Sequence, residues 1–241
     1  MMTKPVLPVG PAIDPKGAAL PGPVTLNGWF GSVARLNAAR AAAPLWREIG
    51  GRDELWTYIS GHGPFAGEGT FTAWLEERET QSDPCYYIVH GLDGRALGLL
   101  ALMHARATMR VVEIGSIVYS SALQRTPLGT EAQYLLARYA FETLGYRRYE
   151  WKCDSLNAPS RRAGLRCGFV FEGIFRHHMI AKGRSRDTAY FSMLDGEWPH
   201  RKRNFELWLE RDNFDEDGRQ KLSLATLNGA GGLIVPSASR A

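Results

Sequence analysis

Between residues 110 and 169 the chain alternates between a two-residue and a helical repeat of apolar positions, and this alternation restricts the fold more than any other feature. Residues 110–119 (RVVEIGSIVY) read as a strand carrying one acid. After a loop at 123–131, Ala132, Leu135, Leu136, Tyr139 and Ala140 share one helical face until Gly145 ends the run. Thr130 with Gln133 fits a capping box at the start of that helix. Tyr149, Trp151 and Cys153 then alternate with Glu150, Lys152 and Asp154, as in a strand covered partly on both faces. Asn157-Ala-Pro-Ser160 opens a short second helix, and Gly168 stands where a left-handed C-cap is needed. Strands and helices in this order require a sheet with helices packed on it.

The loop at 123–131 (LQRTPLGTE) lies between the first strand and the first helix of this series. A helix start leaves backbone N–H groups unpaired at the positive end of the peptide dipole, so it stabilises an anionic phosphate without a lysine. Gln124 opens the loop, Gly129 closes it, and the amides of Arg125, Thr126, Leu128, Gly129 and Thr130 are expected to converge on a pyrophosphate. Pro127 offers no N–H, and its fixed φ pre-shapes the loop. Taken alone, the loop is better read as an ordinary strand-to-helix connection, since short glycine patterns recur by chance.

The spacing from Gln124 to Gly129 resembles the Q/R-x-x-G-x-G/A signature of GNAT-type acetyl-CoA-dependent N-acetyltransferases, with Pro127 in place of its first glycine. Residues 157–169 (NAPSRRAGLRCGF) are similar to the N-x-x-S…G-F segment of the RimJ/RimL-like branch, and the closing segment 171–199 resembles that branch's terminal hairpin and final helix. The matching segments occur in the same order and cover roughly the second half of the chain. The resemblance implies a mixed α/β (α+β) fold: a mostly antiparallel central sheet splayed between its fourth and fifth strands, with helices on both faces. It also implies acetyl-CoA as cosubstrate.

Acyl transfer to an amine needs a proton acceptor, polarisation of the thioester carbonyl and protonation of the leaving thiolate. Glu113 interrupts an apolar strand, where desolvation is expected to raise its pKa toward that of a general base; a solvent-facing acid paired with Arg106 or Arg110 is the alternative. Gly115 allows a bulge beside it. The resemblance assigns the N–H groups of Ile117 and Val118 to the pantetheine arm or the acetyl carbonyl. The tyrosine that many GNAT enzymes carry four residues before Gly-Phe is Gly164 here, which leaves Ser160 as the candidate thiolate acid. Asn157 and Ser160 are equally suited to capping the helix, and Asn157 to contacting the coenzyme as well.

Composition sets limits. A chain of 241 residues, 44% hydrophobic, builds one substantial core. The expected organisation is an extended or disordered lead-in at 1–23, an acetyltransferase domain at 24–214 and a tail at 215–241. No secretory signal or membrane-length apolar run is evident, and Cys85, Cys153 and Cys167 suggest neither a disulfide framework nor a metal site, so a cytoplasmic protein is expected. A net charge of +4 in scattered clusters argues against nucleic acid as a partner. Arg161, Arg162 and Arg166 are placed to flank an adenosine 3′-phosphate or to form a solvated basic face. His177 and His178 would point to opposite strand faces, which excludes a shared metal.

In the first half, residues 24–36 read as an opening strand and turn, 36–46, 53–59 and 71–78 as helices, and 86–89 and 96–104 as a hairpin. The resemblance makes Trp56, Tyr58 and Phe65, with Asp187 and Tyr190 from the terminal hairpin, walls of the acceptor site; packing is the alternative for each. The expected reaction is direct acetyl transfer to a primary amine, either a protein N-terminus or a small molecule. A degenerate acyl-CoA-binding module of the same fold is the second reading, and pairing of the tail with a partner copy as a homodimer stays open.

Overall fold

The computed structural model describes residues 7–229. One eight-stranded sheet runs in the order β1-β2-β3-β4-β5-β6-β8-β7. Its strands are β1 (Thr25–Asn27), β2 (Gly31–Arg35), β3 (Cys85–Gly91), β4 (Ala96–Arg106), β5 (Val111–Tyr119), β6 (Arg148–Asp154), β7 (Val170–Ala181) and β8 (Arg184–Leu194). The helices are α1 (Ala38–Ile49), α2 (Glu68–Glu79), α3 (Pro127–Arg138), α4 (Ala158–Arg166), α5 (Trp198–Leu209) and the short α6 (Leu224–Leu227). All neighbouring strands pair antiparallel except β5 and β6.

The period-two pattern sorts side chains cleanly. Cys85, Tyr87 and Val89 of β3 join Tyr149, Trp151 and Cys153 of β6 in a core roofed by α3, α4 and α5. Tyr86 and Ile88 face the other way, into a second core under α1 and α2. Strand β5 changes sides along its length: Val112 and Ile114 belong to the first core, yet Val118 belongs to the second. The cause is a bulge, because Leu99 pairs with Val118 while Ala101 pairs with Gly115. Ser116 at the bulge has φ +49°, and its Oγ accepts a hydrogen bond from the Tyr86 hydroxyl (3.1 Å).

The parallel β5–β6 ladder is short. It holds from Val111–Arg148 to Ile114–Trp151 and stops there, although both strands continue. The expected splay is therefore present, and it falls between the fifth and sixth strands, because residues 24–36 form two strands and not one. Two further expectations shift. Residues 53–59 contain one 3₁₀ turn, Asp53–Trp56, and α3 begins at Pro127 with Thr126 as its N-cap, so Thr130 lies inside the helix and caps nothing. Gly145 and Gly168 end their helices with φ of +80° and +90°, as the C-cap argument requires.

Residues 7–22 of the lead-in form no helix or strand, and the Ala18 and Ala19 amides donate to the carbonyls of Ala107 and Leu144. At the other end, Leu224 of α6 is fully buried, and the Asn228 side chain donates to the Arg166 carbonyl. The apolar residues 233–235 of the expected tail lie outside the described residues. No helix among the described residues is long and apolar enough to cross a membrane.

Candidate active site

A continuous cleft of ≈ 2030 Å³ occupies the gap between the parted strands. Gly115–Tyr119 of β5 and Trp151–Cys153 of β6 form its walls, the start of α3 and the outer face of α4 close one end, and Tyr58, His62, Trp74 and Tyr86 close the other. Nothing but the early end of the ladder is needed to open it. Beyond Ile114 and Trp151 each strand still carries main-chain polar groups on its inner edge, and no strand lies between them.

At the α3 end, Thr126 Oγ1 accepts the Gly129 N–H at 3.2 Å and donates to the Leu123 carbonyl at 2.7 Å. The Gly129 amide is thus committed to the cap. Pro127 occupies the first helical position, where a missing N–H costs least, so its departure from the glycine pattern fits the helix. Arg125 is held at φ +60°, and Gln124 spans the turn, its side-chain amide donating to the Tyr119 carbonyl (2.9 Å). Gln124, Arg125, Thr126, Gly129 and Thr130 all line the cleft. The Leu128 side chain does not; it is buried in the core, which leaves only its N–H for a ligand.

Gly129 is required for close approach. A Cβ there would stand 2.9 Å from the Leu123 carbonyl oxygen and 3.4 Å from the Tyr119 ring, contacts that only movement of the loop can relieve. Gly129→Ala is expected to cost about 1–3 kcal/mol of stability. It should also weaken coenzyme binding, read by denaturant unfolding beside calorimetric titration; unchanged values in both would remove Gly129 from the seat.

Beside this seat, Arg166 of α4 donates to the Thr130 hydroxyl (3.0 Å) and lies over the Trp208 ring, 4.6 Å from its centroid. Arg166 and Arg162 line the cleft, so guanidinium charge borders the α3 end of it. Arg161 is turned inward, with its Nη1 on the Ser155 carbonyl at 3.1 Å. It belongs to the buried support and not to the basic face expected from sequence.

Asn157 caps α4, its Oδ1 accepting the Ser160 N–H at 3.1 Å, while still lining the cleft. The Trp151 indole N–H donates to Ser160 Oγ (3.0 Å). An accepting hydroxyl keeps its own proton to give, so Ser160 is equipped as a donor. Cys153 lies within its reach: burial pushes that thiol up, and the Ser160 hydrogen bond opposes the shift. Gly164, at the tyrosine position, packs on the Trp151 ring, 3.5 Å from where a Cβ would be.

The other wall is charged. Glu113 is buried, and its Oε2 accepts from Lys152 Nζ and from His104 Nδ1, each at 2.8 Å. The expected isolated carboxylate in an apolar strand is therefore replaced by a paired one, and neither Arg106 nor Arg110 is its partner. Glu113 stands opposite Glu150 across the ladder, and Lys152 bridges both, 2.8 Å from Glu150 Oε2. Burial alone would lower the Lys152 pKa, but the two carboxylates outweigh it and hold the ammonium above its usual range. Arg148 adds a bond to Glu150 at 2.7 Å.

Sequence reasoning passed over His104, since it ends an unremarkable strand pattern. The contact that matters crosses from β4 to β5 at a second irregularity in their ladder, between Met103 and Arg106.

Tyr58 and Tyr190 line the cleft, the latter bonded to His178 Nε2 (3.1 Å) and stacked on Phe175. The other proposed acceptor walls do not reach it. Trp56 is 2% exposed and packs edge-on against Phe65 and Trp74, so Trp56 and Phe65 are core residues. Asp187 accepts the His177 N–H (2.7 Å) and stabilises the β7–β8 hairpin. No cluster of metal-ligating side chains occurs among the described residues.

A sheet parted beside a helix start, with the ordered motifs in its loops, has a counterpart among known families. Residues 35–170 match the model of the acetyltransferase (GNAT) domain. The chain belongs to the GNAT acetyltransferase family. A GCN5-related N-acetyltransferase of known structure from Brucella melitensis is 39% identical, with a TM-score of 0.86 over 89% of this chain and 98% of that one. A GNAT-family structure from Chromobacterium violaceum is 42% identical, with a TM-score of 0.75 over 82% of this chain and 100% of that one. "Putative ribosomal N-acetyltransferase YdaF" of Bacillus subtilis (strain 168) is 31% identical over 110 residues, 46% of this chain. The matched stretch spans 60% of that relative's length.

Proposed function

We propose that the protein transfers the acetyl group of acetyl-CoA to a primary amine by direct attack in a ternary complex. The observation that carries this reading is the single cleft joining the α3 helix start to the buried Glu113 through the gap between β5 and β6. The residues at each end suit the parts of the cosubstrate. The Leu128 N–H, Arg125, Arg166 and the dipole of α3 favour the pyrophosphate. Main chain at Ile117 and Val118, beside the bulge, offers donors to the pantetheine or the thioester carbonyl, and Asn157 borders the same arm. Ser160, oriented by the Trp151 indole, supplies the proton for the departing thiolate. Glu113 serves proton removal from the amine at the opposite wall.

Tyr58 and Tyr190 flank the acceptor, whose class is a protein N-terminus or a small-molecule amine. The name of the Bacillus subtilis relative makes a ribosomal-protein N-terminal peptide the first amine to try. Three buried free thiols suit a reducing cytoplasm.

Calorimetry with acetyl-CoA, followed by a thiol-release assay across N-terminal peptides and small amines, tests the proposal. The expected result is micromolar binding and release that depends on the amine, about −8 kcal/mol for the binding step. Binding without release from any amine would replace the enzyme by an acyl-CoA-binding module; no binding would end both readings.

A further inference from the structure

Three histidines border the acceptor half of the cleft, and their surroundings separate them. Both ring nitrogens of His178 are engaged, with Thr188 Oγ1 at 2.9 Å and the Tyr190 hydroxyl at 3.1 Å. His62 lies among Trp56, Trp74 and Tyr86, and burial, aided by the charges of Arg78 and Lys182, pushes it down to about 4. It stays neutral and weakly basic at physiological pH. His104 is different in every respect. Its side chain is 62% exposed and lines the cleft, yet its position is over-determined. The Asp83 carboxylate accepts both the His104 N–H (2.8 Å) and the Ala105 N–H (2.9 Å), which holds His104 at φ +51°. A non-glycine residue kept in that region is strained unless its surroundings fix it, and such residues concentrate at working sites.

The imidazole points its Nδ1 at Glu113 Oε2, 2.8 Å away. An ionised carboxylate can only accept, so the ring proton sits on Nδ1 and the lone pair on Nε2. Nε2 has no hydrogen-bond partner among the described residues, and the ring lines the cleft. A carboxylate that is buried and already bonded to Lys152 is poorly placed to meet an incoming amine; an exposed imidazole backed by it is well placed.

We infer that His104 is the general base of this acetyltransferase, and that Glu113 acts through it as a positioning residue. The inference rests on the proposed acetyl transfer. In the step, the amine nitrogen bonds to the thioester carbonyl carbon, and its proton passes to Nε2 of neutral His104. The carbon–sulfur bond breaks, with the electron pair leaving on the thiolate, which takes the Ser160 hydroxyl proton while solvent water reprotonates Ser160. His104 then returns its proton to solvent.

The charged groups facing His104 are Glu113 from β5, Lys152 from β6 and Asp83 from the turn before β3. The Glu113 hydrogen bond raises its pKa, burial opposes this, the charges of Glu113 and Asp83 add, and Lys152 subtracts. The sign for activity follows. The base works only when neutral, so kcat/KM should fall on the acid side through a value above the ordinary histidine pKa of about 6.5.

His104→Gln tests this directly. It should lower kcat/KM by about 10²-fold or more and abolish the acid limb. Acetyl-CoA affinity should be unchanged, which also certifies the fold. Glu113→Gln separates the two possible bases: with His104 as base the limb survives and moves to lower pH, because the carboxylate hydrogen bond and its negative charge are gone. The ring proton of His104, followed by NMR in both wild type and Glu113→Gln, should show the same displacement without reference to turnover. An unchanged rate and limb in His104→Gln, or a limb lost in Glu113→Gln, would overturn the assignment. Failure of the wild-type protein to acetylate any amine would instead strike the proposed function, and the His104 titration would still report whether Glu113 holds the ring.

Discussion

Lys152→Met is expected to lose about 3–5 kcal/mol of stability at neutral pH, the usual consequence of removing one partner from a buried ionic group. Glu113 and Glu150 face each other across the β5–β6 ladder with 8% and 6% of their side chains exposed, and Lys152 is the bridge between them. Arg148 remains for Glu150, but among the described residues Glu113 keeps only His104. The pH dependence has a definite sign. Burial raises the Glu150 carboxyl, and hydrogen bonds from Arg148 and Lys152, with their charges, bring it below its ordinary value. A carboxyl depressed in the folded state contributes stability above its unfolded pKa and loses it as pH falls through the folded one. The lysine, held above its usual value, contributes below its unfolded pKa of about 10.4. The wild-type network therefore stabilises the protein across the intervening neutral range. In the variant, protonating the stranded carboxylates relieves them, so the deficit should shrink toward pH 4 to 5, roughly the carboxyl range. Urea unfolding at pH 7.5 and at the acid end checks this, and equal deficits at both would show that Lys152 acts through packing.

Trp56→Ala is expected to cost a similar amount, about 3–5 kcal/mol, through the cavity left by a large buried ring. For a chain of this size that corresponds to a fall of about 6–20 °C in Tm. Trp56 contacts Phe65 at 5.1 Å, Trp74 at 6.1 Å and Phe71 at 6.4 Å between ring centroids, and its carbonyl accepts from Lys182 Nζ at 2.7 Å, tying this cluster to the β7–β8 turn. Below its melting temperature the variant should keep its acceptor KM, because the ring does not reach the cleft. A raised KM with an unaltered Tm would return Trp56 to the acceptor site.

These two residues illustrate what was legible beforehand and what was not. Lys152 could be placed on a strand by alternation, and its face was given by the apolar identities of Tyr149, Trp151 and Cys153. Its partner Glu113 could not, since Glu113 lies 39 residues away and reaches it only through parallel pairing. Trp56 carried the opposite problem. An aromatic near a glycine-rich loop suits a pocket and a core equally, and only the positions of Phe65, Phe71 and Trp74 decided for the core. The same limit explains Asp187, whose carboxylate went to a backbone amide of its own hairpin.

The sequence by itself determined the order of strands and helices from residue 110 onward, the stops at Gly145 and Gly168, the caps' neighbourhood at 124–130 and 157–160, and the family. Those signals are local: side-chain period, capping chemistry and glycine φ act within a few residues of one another. Tertiary structure alone decided where the ladder between β5 and β6 ends, how the Ser116 bulge turns Val118 to the opposite core, and that His104 meets Glu113. Each of these depends on the register between separate strands, and packing settles it by a few kcal/mol that no local pattern records.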